Sequence, residues 1–257
     1  KEIAEKAATE LTKSIVLNSS TTSSGIITNN NKIRITTTGS LTNSGTITNQ
    51  SHDSTLITNY GSFENRIVSA TEKGVINNLG KIINETTGQF SNYNILTNDS
   101  YVINKNIFKN FSEATFTTKS EFTNDSKLFN YGIIKNTKTF NNRLNGLYRN
   151  YNLLNNDSVA IFNNSTDIIN YESNTENATA NNLFGVTGTI TNRGTMNHTQ
   201  DKITNRGAII NYFGTSYLNL SADIDNIEAS TFTNNSLVKI FKGINMTNVA
   251  NAVLTNN

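Results

Sequence analysis

The sequence predicts an all-β fold: a three-faced parallel β-helix, right-handed, of about twelve coils, with an amphipathic helix capping its N-terminal end. Three observations predict it. Asn stands directly before an aromatic at Asn110-Phe111, Asn130-Tyr131, Asn150-Tyr151 and Asn170-Tyr171, a return of 20 residues each time, and again after a double step at Asn211-Tyr212. Short apolar-x-Asn units fill the intervals, among them Ile47-Thr48-Asn49, Leu96-Thr97-Asn98, Phe122-Thr123-Asn124 and Ile203-Thr204-Asn205. The 257 residues include 47 Asn, 37 Thr and 28 Ile but no Pro, Cys or Trp. Pro removes an N–H, so strands that pair on both sides have little room for it, whereas Ile and Thr suit a pleated strand. An Asn-rich chain is otherwise a candidate for disorder, but here the apolar residues are periodic rather than scattered.

Residues 1–24 read as the N-terminal helix and cap. Ile3, Ala7, Leu11 and Ile15 follow i, i+4 spacing, with Ala4 and Ala8 beside them. Glu2 and Glu5 sit at the start, where they favour the helix dipole, and Asn18 with the Ser/Thr run to Ser24 ends the segment. Such a helix would shield the first rung of a solenoid.

Residues 25–257 read as the β-helix. Each apolar-x-Asn unit is a strand ending in a turn. Gly follows the Asn by one or two places at Gly45, Gly61, Gly80, Gly132, Gly194 and Gly207, and both residue types tolerate the left-handed backbone of a corner. The steps between corners add up to one turn. Asn130, Asn136, Asn142 and Asn150 are 6, 6 and 8 residues apart, while Asn92, Asn98, Asn104 and Asn110 are each 6 apart. Three corners per turn imply three faces, and the mixed step lengths favour the right-handed form. Residues one period apart then lie over one another. Phe108, Leu128, Tyr148 and Ile168 form an inner apolar ladder, and Phe111, Tyr131, Tyr151 and Tyr171 an aromatic stack near a corner. Asn110, Asn130, Asn150 and Asn170 stack with amides able to hydrogen-bond along the axis. The pattern breaks near 172–184 and 221–230, which read as side loops, then resumes to Leu254-Thr255-Asn256 with no closing helix.

Gly39-Ser-Leu-Thr-Asn43-Ser-Gly45-Thr-Ile47-Thr-Asn49 and Gly188-Thr-Ile190-Thr-Asn192-Arg-Gly194-Thr-Met196-Asn197 resemble the repeats of large bacterial surface β-helices, the filamentous-haemagglutinin-type adhesins and autotransporter passengers. The resemblance covers most of residues 25–257 and is one of repeat style. It implies a secreted rod used in adhesion, surface structure or assembly.

The chemistry legible in the chain is sparse. Asp223, Asp225 and Glu228 form the densest acidic group, and Glu113, Glu121 and Asp125 a second. Paired carboxylates on an outer face would suit polysaccharide cleavage, but a solvated loop explains them as well. His52 and His198 lie far apart in polar turns and give no metal-site spacing. No phosphate-binding glycine loop, nucleophile elbow or calcium loop occurs. Asn-x-Ser/Thr triplets at Asn84, Asn98, Asn124, Asn156 and Asn219 are expected by chance at this composition. The formal net charge of +2 is spread along the chain, which argues against a nucleic-acid partner, and no apolar run is long enough to span a bilayer. Residues 1–25 lack the apolar core of a signal peptide, so the chain reads as mature or as a fragment.

The expected function is therefore a non-enzymatic, extracellular or cell-surface structural or adhesive solenoid, self-assembling end to end into a filament or layer. No catalytic residue, cofactor or metal is assigned. The expected partners are other copies, a host or cell surface, or a polysaccharide. The alternative is a polysaccharide-binding or depolymerising β-helix of the tailspike or lyase kind. Third comes ice or crystal-surface binding, suggested by Thr36, Thr37, Thr38, Thr46 and Thr48. That third role needs Thr to return at the same place in successive coils, which a fixed step of 20 does not give.

Overall fold

The computed structural model describes residues 2–4, 8–51, 55–71, 73–143, 146–157, 160–164, 168–170, 189–193, 195–198, 203–205, 208–211, 217–221, 223–226, 230–240, 245–248 and 252–256. The chain is an all-β parallel solenoid. Among the described residues its strands, three or four residues each, fall in rotation into three parallel sheets of 12, 12 and 11 strands. In each sheet a strand pairs with the one three strands earlier and the one three strands later. Sheet 1 includes Ile107–Asn110, Lys127–Asn130 and Leu147–Asn150; sheet 2 includes Thr115–Thr118, Ile133–Asn136 and Leu153–Asn156; sheet 3 includes Glu121–Asn124, Thr139–Asn142 and Ile161–Asn164. The 6, 6 and 8 steps from Asn130 to Asn150 are thus the walk from sheet 1 through sheets 2 and 3 and back.

The four-residue strand has one recurrent pattern: its second and fourth side chains are buried and its first and third face outward. This is the period-2 alternation of a pleated strand. The second position carries the apolar core. Phe108, Leu128, Tyr148 and Ile168 are in register on sheet 1 and all are inaccessible to solvent, as the sequence predicts. Phenylalanines from the three sheets meet in one layer: Phe108, Phe116 and Phe122 have ring centroids 5.0–5.7 Å apart.

The fourth position is Asn in most strands, and here the chain departs from ordinary interiors, which seldom bury this amide. Asn43, Asn65, Asn92, Asn110, Asn130 and Asn150 on sheet 1 are all fully buried. Each Nδ2 donates to Oδ1 of the next Asn in that series, at 2.8–2.9 Å. Sheet 2 repeats the arrangement from Asn29 through Asn49 and Asn78 to Asn98, and sheet 3 from Asn59 through Asn84, Asn104, Asn124 and Asn142 to Asn164. The same amides also donate to corner carbonyls, as Asn110 does to Ile133 O at 3.0 Å and Asn130 to Leu153 O at 3.0 Å. At several corners Oδ1 accepts the N–H two residues on, for example Gly61 N on Asn59 and Ser100 N on Asn98, the Asx-turn geometry that helps bend the chain. One side chain therefore ends the strand, shapes the corner and ties the coil to the next.

Thr118 takes one Asn place on sheet 2. Its hydroxyl accepts from Asn98 at 3.2 Å, and the ladder resumes from Asn136 to Asn156 at 2.7 Å. Tyr148 extends its phenol into the ladder of sheet 1, donating to Asn150 Oδ1 at 3.1 Å.

Three expectations are corrected. The segment expected as a capping helix holds strands, Glu2–Ala4, Ala8–Leu11 and Ile15–Leu17, and no helix occurs among the described residues. The last two pair with Ile26–Asn29 and Lys32–Ile35, so Ile15 and Leu17 lie against Ile33 and Ile35. The hydrogen-bonding edge of the next coil overrides the helical spacing of Ile3, Ala7, Leu11 and Ile15. The segment near 221–230 is not wholly a side loop, because Ile224–Asn226 is a strand paired with Ile203–Asn205 and Met246–Asn248. The other expected loop, near 172–184, lies outside the described residues. The glycines serve a different need from the one expected. None of the described Gly45, Gly61, Gly80 and Gly132 lies in the left-handed region. At Gly132 a Cβ would collide with the carbonyl oxygens of Phe111 and Ala114 in the coil below, so the corner needs Gly for close approach.

Replacing one mid-ladder amide should show what the columns contribute. Asn130→Leu removes the acceptor of Asn110 and the donor to Asn150, and should cost about 2–4 kcal/mol in urea unfolding. The outward-facing Asn141→Ala should cost less than half as much. Tyr148 offers a second check. Burial holds its phenol well above the ordinary value of 10.0, with a hydrogen bond from the Asn130 amide pulling the other way. The folded state thus keeps a proton that the unfolded state releases. Stability should be level below pH about 10 and fall as pH rises above it. Urea midpoints between pH 8 and pH 11 should show that fall, and Tyr148→Phe should flatten it.

Candidate functional surface

Since the interior is filled by apolar residues and Asn, recognition falls to the outward first and third positions and to the corners. The corner that follows sheet 1 carries the aromatic stack. Tyr93 and Phe111 lie 4.0 Å apart at an interplanar angle of 8°, Phe111 and Tyr131 6.1 Å apart at 27°, and Tyr131 and Tyr151 4.6 Å apart at 13°. The sequence locates three of these rings; Tyr171 lies outside the described residues. Tyr93 is missed by a fixed step because its turn, Asn92 to Asn110, is two residues short. Arg66 closes the column, its guanidinium 5.4 Å from the Tyr93 centroid and its Nε 3.1 Å from Glu64. The ring faces are directed at one another along the axis, which leaves mainly edges for a ligand. That geometry is poor for a sugar, which stacks on an open face.

A cleft of about 450 Å³ opens beside this column. Tyr93 and Phe111 line it with Ser112 and Glu113 on one side, and Arg66, Ile67 and Val68 on the other. The second wall belongs to an excursion between sheets 1 and 2, closed by Gly74 N on Arg66 O at 2.7 Å and by an antiparallel bridge between Ile67 and Lys73. Glu113 is the one carboxylate among the lining residues.

The acidic residues of the two sequence groups have separate surroundings among the described residues. Glu113 lies in the cleft, while Glu121 and Asp125 share Arg143, 3.8 and 3.9 Å from its guanidinium. Glu121 also accepts from Thr123 and Asn141. Asp223 accepts the Asn245 N–H at 2.9 Å, and Asp225 stands in register with Thr204 and Thr247. Glu228 and His52 lie outside the described residues. His198 is not in a polar turn. It ends the strand Thr195–His198, is fully buried, and its Nδ1 stands 2.8 Å from Asn164 Nδ2 in an Asn place of the sheet 3 ladder. That contact requires a bare Nδ1, so the ring proton of the neutral imidazole sits on Nε2. Among the described residues no three of His, Asp and Glu gather as metal ligands.

Register also revises the reading of threonine. Thr28 pairs with Thr48, Asn77 follows, then Thr97 pairs with Thr117, all outward on sheet 2. A fixed step of 20 misses this column because Asn49 and Asn78, neighbours in the ladder, are 29 residues apart. Lys135 ends it. Of the Asn-x-Ser/Thr triplets, those at Asn84, Asn98, Asn124 and Asn156 place the Asn inside the ladders, where a glycan has no room; Asn219 faces outward.

No family model, curated protein or solved structure matches the chain. The parallel solenoid and its outward faces are thus the basis for reading its role. Two corner variants separate packing from charge. Tyr131→Ala, which opens the stack, should lower urea stability by about 1–2 kcal/mol, whereas Arg143→Ala, an exposed partner, should cost no more than about 0.5 kcal/mol.

Proposed function

We propose that this chain is a non-enzymatic structural rod of an extracellular, cell-surface protein of the adhesin kind. Its work is to hold a binding surface at a fixed distance and in a fixed orientation. The observation that supports this reading best is the length of the three amide ladders. Successive coils are joined by side-chain bonds as well as by the sheets, so bending or fraying one coil breaks bonds to both neighbours. We take the coil as right-handed, the sense that parallel crossovers adopt in about 98% of cases. Twelve strands in a sheet span eleven steps of about 4.8 Å, a length of roughly 53 Å.

Small-angle scattering on the purified chain tests the rod. The expected profile is a cylinder of constant cross-section and about that length; scattering as a sphere or a flexible coil would sink the reading. Antibody labelling of intact cells tests the location, with surface staining expected and staining only after permeabilisation overturning it. Release of reducing ends from a polysaccharide panel would make the protein an enzyme instead.

A further inference from the structure

Sheet 3 carries a second column of asparagines, facing solvent. Asn141, Asn163, Asn197 and Asn219 occupy the outward third position of four successive strands. Asn163 donates to Asn141 at 2.9 Å, Asn197 to Asn163 at 2.8 Å and Asn219 to Asn197 at 2.8 Å. Asn141 in turn donates to the Glu121 carboxylate at 3.3 Å. The column runs opposite to the buried ladders, because each of its amides donates toward the N-terminal end. It is thereby fixed in place, and each half-buried amide keeps a second N–H and a second lone pair for an outside partner. Beside it, at the outward first position, stand Thr139, Ile161, Thr195 and Tyr217. Tyr217 is 46% exposed, its register neighbours are Thr195 and Leu237, and among the described residues no aromatic ring stacks on it as in the corner column.

Size and charge select the partner. Four strands about 4.8 Å apart and four residues long at about 3.3 Å each make a face of roughly 250 Å². A stable dimer buries about 800 Å² on each partner, so the face is too small to hold a second copy. None of its eight residues is charged; Lys138, Arg143 and Arg193 stand at the corners around it. An extended peptide would need a free strand edge, but the backbone of these strands is already paired on both sides. What remains is a ligand that is neutral and repeats along a line. It must offer hydroxyls that donate and accept, and an apolar ring face for Tyr217.

We propose that this face binds a neutral linear polysaccharide laid along the solenoid axis. One sugar ring rests on Tyr217, and hydroxyls of neighbouring units bond the amides of Asn163, Asn197 and Asn219. The binding is separate from the role of the rod, and losing it leaves the rod intact.

Titration calorimetry of the full 257-residue chain with cellohexaose, chitohexaose and maltohexaose tests the site. Saturable binding of at least one hexasaccharide is expected. Tyr217→Ala should weaken it about tenfold or more, as should the double variant Asn197→Ala with Asn219→Ala. Thr48→Ala with Thr97→Ala, on sheet 2, should leave it unchanged. Tyr217→Ala trims a half-exposed side chain and so decides the matter even if the Asn double variant fails to fold. Failure of all three sugars to bind overturns the proposal, as does undiminished binding by Tyr217→Ala. A dimer in sedimentation that Tyr217→Ala dissolves would assign the face to a second copy and equally overturn it.

Discussion

Everything in this molecule depends on how an amide can be buried without loss. A side-chain amide taken out of water costs free energy unless both its donor and its acceptor find partners. Here the partner is the same amide one coil away. Asn110 donates to Asn130 and Asn130 to Asn150, while backbone carbonyls take further N–H contacts. At the same corners the peptide groups bond in the opposite sense: Tyr131 N–H donates down to Asn110 O, and Tyr151 N–H to Asn130 O. Two columns of dipoles thus run antiparallel within a few ångströms, which lowers the cost of aligning either one. Bonds in such chains polarise one another, so a long ladder holds each member more firmly than an isolated pair would.

The rest of the design follows. Because the fourth position of the strand satisfies itself, the apolar core needs only the second position, and a chain with about a third apolar residues fills it. Because Oδ1 also bends the corner, the strand can be four residues long and the coil can close in 18 to 20 residues when nothing is inserted. Insertions are absorbed between strands, as in the 66–74 excursion, without disturbing register on either side. The interior therefore repeats one rule while the corners and outer faces differ from coil to coil, which is where the cleft, the aromatic column and the outward asparagines lie.

How legible this was differs by element. The inner column Phe108, Leu128, Tyr148, Ile168 and the walk from Asn130 to Asn150 were readable because those coils keep nearly equal lengths. Where a coil changes length, equal spacing fails: a short coil hid Tyr93 from the aromatic stack, and a long one put Thr97 out of line with Thr48. The N-terminal segment was misread for another reason. Three alanines and an i, i+4 spacing express local propensity, but Leu17 lies over Ile35 and Ile15 over Ile33, and pairing with the next coil decides their conformation. His198 shows the same limit, since nothing local says that this residue ends a strand and stands against Asn164 of the preceding coil.

The sequence by itself determined the architecture: parallel coils, three strands to a turn, and Asn at the end of most strands. Periodicity carries that much because a solenoid repeats its local rule in every coil. Only the tertiary structure decided which side of the strand each Asn occupies, which coils lie in register across insertions, and which outward residues become neighbours. Those facts depend on contacts between coils 18 to 36 residues apart in the chain, whose spacing changes with every insertion. The physical reason is that stacking distance, not sequence distance, sets which groups meet.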